Sequence, residues 1–433
     1  MKLVRTGIVL LLLFGMQFPL RSQVLDARFS TSFYGWERQD TTTGGVQYLR
    51  GYENVQVNFG TSSLSFHTYL QGSTDFQNSM SGDPRLKMFN TYVDVRNVGD
   101  MVDIRLGRQQ VYAGVNYGTV DGIKLQAAPS SRLKLMLYGG GLAPADLRTD
   151  FFRNLGDNFQ IGGHVLFRLS PSTHLSLSYM NRHRESKPYD AFRYDVNLGL
   201  VSTRIDYGSR ANQYLSLSGD YTTRELWVFG RVDYDFNYED LSRLELTSRY
   251  QVSPALGLVA EGYYRKSQIA YNSYFSLLER SATGEFVVGA DYALNENLNL
   301  LFRYSGVVYE EDFGMRVTTG IACRYLTFSY SKDLSYDGEL DGFSGRFRYP
   351  ILGGKIVPNV GAAYSRYALA DGIEKLSTLA LSGGFTIRPW KIISLDVQGQ
   401  YLTNKIYSSD MRVFARLNYW LANTFSSVKE GVQ

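Results

Sequence analysis

Val93-Asp94-Val95-Arg96-Asn97-Val98-Gly99-Asp100-Met101-Val102-Asp103-Ile104-Arg105-Leu106 is the stretch that decides the fold. On both sides of Gly99, apolar and charged residues alternate with period two, as in a strand with one greasy and one polar face. Folded about Gly99, the stretch sets Asp94 opposite Arg105 and Arg96 opposite Asp103. The same register places Val95 against Ile104 and Val93 against Leu106 on the other face. Opposite charges meet on one side and branched apolar residues on the other, which is how cross-strand pairs stabilise a sheet. A slip of one residue would carry all four charges onto the apolar face.

The same alternation runs along the chain from Leu25 onward. Leu226, Val228, Gly230, Val232, Tyr234 and Phe236 share one face, opposed by Trp227, Phe229, Arg231, Asp233 and Asp235. Leu256, Leu258, Ala260, Gly262 and Tyr264 oppose Glu261, Tyr263 and Arg265; Met411, Val413, Ala415, Leu417, Tyr419 and Leu421 oppose Arg412, Arg416 and Asn418. Alternation alone would suit a soluble sandwich as well. The runs, however, reach the length that a tilted strand needs to cross hydrocarbon. Apolar stripes finish in aromatic residues (Tyr179, Tyr264, Tyr292, Tyr401, Trp420), as interface girdles do. Tight turns (Asn97–Met101, Pro129–Arg132, Ser170–Thr173, Ser253–Ala255, Asn295–Asn297, Arg388–Lys391) alternate with longer polar connections (Ser73–Leu86, Leu142–Asp157, Ile269–Thr283, Ala368–Lys375). The sequence therefore predicts an all-β fold, a transmembrane antiparallel up-and-down β-barrel without a plug domain. About 23 candidate strands are found; single-chain bacterial barrels close with an even number, so about 22 are expected, with 18 to 24 admissible. The parity breaks within Ser202–Asp240.

Composition agrees. The 433 residues contain 33 Tyr, 25 Phe and 42 Gly but only 10 Pro, the balance of long strands that cannot spare ladder donors. Lys2 and Arg5 precede an apolar run, Ile8 to Phe14, too short for a membrane helix. Residues 1–22 accordingly read as a secretory signal cleaved near Ser22–Gln23, and 23–433 as one outer-membrane barrel. The single cysteine, Cys323, excludes an internal disulfide, a multi-Cys zinc site and a haem attachment motif. No cofactor is implied. A net charge of +4 gives no reason to expect nucleic acid. The expected partners are outer-membrane lipid and lipopolysaccharide, the barrel-assembly machinery and small hydrophilic solutes. Met411–Leu421 serves as the last strand, and either Phe425 is the terminal aromatic with a short tail or the tail packs into the periplasmic mouth.

The polar parity lines the interior and carries the function. Its candidate pore-lining residues are Asp94, Arg96, Asp103, Arg105, Arg108, Gln109, Lys124, Lys134, Arg231, Asp233, Arg249, Glu261, Arg265, Arg303, Arg346, Arg348, Arg412 and Arg416. Bases outnumber acids on this face, which suggests slight anion preference; the alternative is that these charges only pair across the wall. His174 and Ser176 have a suggestive spacing, but their parity points both inward, opposite to Leu175, Leu177 and Tyr179, so no barrel hydrolase is read from them.

Arg105-Leu106-Gly107-Arg108-Gln109, with the later Gly114 and Asp121-Gly122, resembles the Gly-Arg-Gln strand end and Asp-Gly of porin-like barrels, including the alginate-export type. The resemblance covers about 25 residues. It implies a loop dipping into the lumen, with Arg108 and Gln109 as the solute contacts of the constriction; the alternative is an ordinary outward loop. Leu256–Phe275 further resembles outer-membrane barrels of environmental bacteria that sometimes sheath cytochromes, so any redox partner would be a separate protein. The sequence thus favours a passive, weakly selective channel. A barrel whose lumen houses a partner, such as a secreted polymer or a separate electron carrier, is the alternative. No enzymatic step is read from the sequence.

Overall fold

The computed structural model describes residues 23–425 apart from 41–43, 81, 153, 186–187, 195–198, 206–208, 271–279, 311, 336–338, 369–373 and 406–408. The signal segment, the tail after 425, the side chain of Phe425 and the Ser-Tyr-Phe loop at 273–275 lie outside the described residues.

The strands in chain order are β1 (Gln23–Asp40), β2 (Gly44–Gly60), β3 (Leu64–Gln77), β4 (Leu86–Val98), β5 (Val102–Ala113), β6 (Asn116–Ser130), β7 (Leu133–Leu142) and β8 (Phe159–Ser170). There follow β9 (Thr173–Glu185), β10 (Tyr189–Tyr194), β11 (Leu200–Ile205), β12 (Ser209–Thr222), β13 (Leu226–Asp235), β14 (Asp240–Ser253), β15 (Leu256–Lys266) and β16 (Ala282–Asn295). The last are β17 (Leu298–Tyr309), β18 (Asp312–Cys323), β19 (Leu326–Ser335), β20 (Glu339–Arg348), β21 (Ile356–Ala368), β22 (Leu376–Trp390), β23 (Ile393–Asn404) and β24 (Asp410–Phe425). Twenty-two of them form one antiparallel sheet, and β10 and β11 pair only with each other. β9 pairs directly with β12. β1 pairs with β24 from Gln23 against Phe425 to Trp36 against Arg412, which closes the wall and leaves no open edge. The small β10–β11 hairpin lies within the β9–β12 connection and reaches only the start of the Ser202–Asp240 stretch; it stands outside the wall, which closes with the even number of 22 strands.

Every tight turn read from the sequence lies on the rim where β1 begins and β24 ends, and the longer connections lie on the opposite rim. Around the outside, one parity presents Leu137, Ile161, Leu177, Leu217, Leu246, Val288, Phe328 and Val413 to the surroundings. A water-soluble protein does not expose so continuous an apolar band, and hydrocarbon is the solvent that matches it. The wall is thus that of a transmembrane barrel. Trp420 is not part of the girdle. It shares the parity of Asn418, pairs with Arg28 of β1 and has that guanidinium 5.4 Å from its ring centre. Among the described residues no helix is long and apolar enough to cross a membrane.

The β4–β5 hairpin keeps most of its expected register: Val93 opposes Leu106, Asp94 opposes Arg105, and Val95 opposes Ile104. The Arg96–Asp103 pair does not form. The register shifts between Val95 and Val98, Arg96 turns back to Asp94 (3.4 Å), and Asp103 Oδ1 accepts the Asn97 N–H at 2.9 Å. A carboxylate satisfying a turn amide has displaced an exposed ion pair worth little in water.

Candidate solute site on the inner wall

β5 and β6 pair without interruption from Val102–Ala127 to Ala113–Asn116, yet the hairpin does not stay in the wall. Gly107, Gly122 and Gly140 stand side by side on β5, β6 and β7. Gly107 has φ 125°, and a Cβ there would lie 2.3 Å from the Thr91 carbonyl oxygen. A Cβ on Gly122 would come within 2.1 Å of the Gly139 oxygen. Only glycine tolerates so close an approach of backbones. Beyond this row the hairpin curls onto the inner face of β7–β9. The Val115 N–H donates to Ser178 Oγ (2.9 Å), Asn116 Nδ2 to the Gly163 oxygen (2.9 Å) and Tyr138 OH to Asn116 Oδ1 (2.8 Å). Arg182 Nη2 donates to Tyr117 OH at 2.8 Å. Val111, Val120, Met136, Tyr138 and Leu142 fill the space between hairpin and wall, a small apolar core on the lumen side.

The bend corrects the expected roles of Arg108 and Gln109. Both are fully buried, at 0% exposure, and neither is presented to a solute. Arg108 grips Asp121 through two bonds (Nε–Oδ1 2.7 Å, Nη2–Oδ2 2.8 Å). It also donates to the carbonyls of Met88, Arg148 and Asp150, while the Phe151 ring centre lies 5.0 Å from its guanidinium carbon. Gln109 Nε2 donates to the Arg105 and Gly122 oxygens. Where the hairpin leaves the wall, the connection after β7 covers its back, and Arg108 ties the two together. The inward element foreseen from the glycines is present, but as a bent hairpin rather than a loop.

Beneath the hairpin lies a cavity of about 480 Å³ lined by Arg105, Lys124, Lys134, Gln110, Gln126 and Tyr92, among others, with no carboxylate in its lining. Gln110 and Tyr112 reach it because the curl turns toward the lumen a face that points outward at Leu106. Arg105 is shared between Asp94, 3.1 Å away, and the face of Tyr92, 4.3 Å from the ring centre. Lys134 is exposed. Lys124 is only 8% exposed and makes no hydrogen bond or ion pair with any described residue.

Elsewhere the predicted charges mostly find local partners. Arg231 holds Asp233 (2.7 Å), Arg303 holds Asp291 (2.7 Å), Arg265 meets Glu285 (3.2 Å) and Arg412 meets Asp410 (2.6 Å). Glu261 accepts from Tyr263 OH at 2.9 Å. Arg249 sits over Trp227, Arg416 over Phe414, and Arg346 and Arg348 are exposed on β20. His174 Nδ1 is engaged with Asp220 (2.9 Å) and Ser176 with Ser218 (2.7 Å) rather than with each other.

A second inner groove, of about 470 Å³, was not foreseen. Arg28, Tyr34, Tyr52, Asn54, Gln71 and Arg416 contribute to its lining. Next to it Trp36 stacks between Tyr34 and Tyr48, with 5.0 Å between ring centres on either side. The signal was available: Arg28, Ser30, Ser32, Tyr34 and Trp36 share one parity of β1. On the loop rim, Arg50 of β2 holds Asp83 of the β3–β4 connection (2.7 Å) as well as its ladder partner Asp75 of β3 (3.3 Å), and Lys87 also meets Asp83 (2.7 Å). Burial alone would raise the Asp83 pKa, but Lys87 and then Arg50 outweigh it and hold the carboxyl below its usual value.

No protein-family model matches the chain, and no curated protein matches it. Among solved structures, the chain is similar to a mutant of the ferric enterobactin receptor PfeA from Pseudomonas aeruginosa, at 9% identity and a TM-score of 0.59, over 92% of this chain and 80% of that one. The translocation pore of the P pilus usher PapC aligns over 93% of this chain and 100% of its own, at 10% identity and a TM-score of 0.47. OccAB4 of Acinetobacter baumannii aligns over 93% and 99%, at 7% identity and a TM-score of 0.44. At such identities the likeness to the first is one of fold, the large barrel of outer-membrane proteins, and the other two carry no argument.

Proposed function

We propose that this chain is an outer-membrane channel, exported by its first 22 residues, for passive diffusion of small hydrophilic solutes, with a slight preference for anions. The observation that carries the reading is the closed 22-stranded wall with an apolar outside and a charged, polar inside, narrowed by a hairpin that packs on β7–β9 and β12 and whose Tyr117 reaches Gln268 of the β15–β16 connection. A wall of this strand number encloses more space than its own side chains fill, and among the described residues no domain occupies it. The anion preference draws on Lys124 and Lys134, which form no ion pair and have no acid in the lining of their cavity, beside Arg105, which Asp94 holds. The likeness of residues 105–122 to alginate-export barrels supports the same reading through the inward bend, since Arg108 and Gln109 are buried.

Single-channel recording of refolded protein in a planar bilayer under a salt gradient tests this. Steady openings whose reversal potential shifts toward cation preference in the double variant Arg105→Glu, Lys134→Glu are expected. A barrel that inserts but never conducts would refute the channel and favour the second reading, a lumen that houses a partner protein or polymer. That second reading draws on the breadth of the barrel.

A further inference from the structure

We propose that the cavity beneath the β5–β6 hairpin is a binding site for a compact oxyanion, a carboxylate- or phosphate-bearing small solute, with Lys124 as its central ligand. This deepens the channel reading and relies on it only for how such a solute reaches the pocket. The first ground is Lys124 itself. It is more than nine-tenths buried as a residue, and its side chain makes no hydrogen bond or ion pair with a described residue. Its ammonium, which opens onto the cavity, has only the longer-range attraction of Asp94 to offset its partial desolvation. Other bases of the inner wall are treated differently: Arg231, Arg303 and Arg412 each hold a carboxylate within 2.7 Å. Asp94, the acid nearest to the pocket, is already shared by Arg96 and Arg105.

The second ground is the lining. Arg105, Lys124 and Lys134 converge on one space with no acid among the residues that bound it, and Gln110, Gln126 and Tyr92 add neutral groups able to donate hydrogen bonds. Charge-assisted bonds to a desolvated oxyanion are the strong kind. The third ground is size and shape. About 480 Å³ roofed by the hairpin lies in the range of small-molecule pockets, so a discrete solute fits better than a passing polymer. Gln110 and Tyr112 belong to this wall only because of the glycine bend, which places the site under backbone that enters the lumen.

The test is isothermal titration of the full chain in detergent at low salt with inorganic phosphate, with succinate and with glucose. Saturable binding of phosphate or succinate, and none of glucose, is expected. Binding by both identifies the shared oxyanion chemistry, and binding by one alone identifies its source. Lys124→Met should weaken the bound anion at least tenfold, while Lys355→Met, in the distant β20–β21 connection, should leave it unchanged. Lys134→Met removes an exposed charge, is expected to fold in any case, and should weaken binding severalfold. Anions that bind no better than glucose, or Lys124→Met binding as tightly as wild type, would overturn the proposal. If Lys124→Met fails to fold, unchanged affinity in Lys134→Met overturns it. A protein that binds anions but does not conduct retains the site and loses the channel; one that conducts but binds neither anion loses the site alone.

Discussion

Replacing Arg108 by Met should be among the most damaging single changes in the barrel, although it touches no solute. Arg108 and Asp121 are 0% and 1% exposed, and the guanidinium also serves the carbonyls of Met88, Arg148 and Asp150. Arg108→Met strands the carboxylate and leaves those carbonyls without their donor. Removing one partner of a buried pair costs about 3–5 kcal/mol. The double variant Arg108→Met, Asp121→Leu no longer buries a lone charge, so it should recover the carboxylate part. It should retain a loss of about 1–3 kcal/mol from the unserved carbonyls. Urea unfolding of the refolded protein, followed by Trp fluorescence, measures both. Limited proteolysis should show new cleavage within residues 143–158 in the single variant, because that connection loses its anchor. A single variant costing less than about 1 kcal/mol, or a double variant as unstable as the single, would refute the assignment of Arg108 as a buried tie.

The remaining expectations concern the bend, the belt and the loop rim. Gly107→Val puts a branched side chain at φ 125° with its Cβ against the Thr91 oxygen; a loss above about 3 kcal/mol and protease access to residues 112–118 are expected, against about 1–2 kcal/mol for Gly99→Ala, whose added Cβ meets nothing within 4 Å. Leu137→Arg, at a position 62% exposed on the apolar band, should cost about 2–4 kcal/mol in lipid and much less in a zwitterionic detergent, measured by urea unfolding in each. Asp83, with its lowered pKa, stabilises the β3–β4 connection at pH above its ordinary value, and that contribution disappears as pH falls through the lowered one. Cleavage within residues 78–85 should therefore be faster in Asp83→Asn than in wild type at neutral pH, and the difference should close on acidification. A difference independent of pH would refute the assignment.

The wall was legible because period-two alternation has only one physical reading once runs are long and turns are short. Val93, Val95, Ile104 and Leu106 fix which face meets lipid, and the turn and loop positions then sort the rims. The site was legible only in part. The glycines after Gln109 announced a close approach of backbones, and Arg105, Lys124 and Lys134 were placed on the right parity. What alternation could not supply was the effect of the bend, which carries Arg108 behind the hairpin and brings Gln110 and Tyr112 to the lumen side. Parity is a rule for an extended strand, and it lapses at a residue with φ 125°. The pairing of Arg96 with Asp94 was hidden for a similar reason, since turn geometry rather than charge decided the end of that ladder.

The seam between β1 and β24 bears on how the molecule is made. The two strands are joined over fourteen residues on each side, Gln23–Trp36 and Arg412–Phe425, yet nearly the whole chain separates them. Within the barrel, β1 is made before all the strands between it and β24, takes its second neighbour from β24, and until then both ends of a growing sheet offer unpaired amides and carbonyls. Such long-range closure is slow, and open edges invite pairing with other chains. Holding β1 apart until β24 arrives is thus a requirement of this topology, and a chain shortened before Asp410 would retain a sticky margin at both ends however sound its other hairpins.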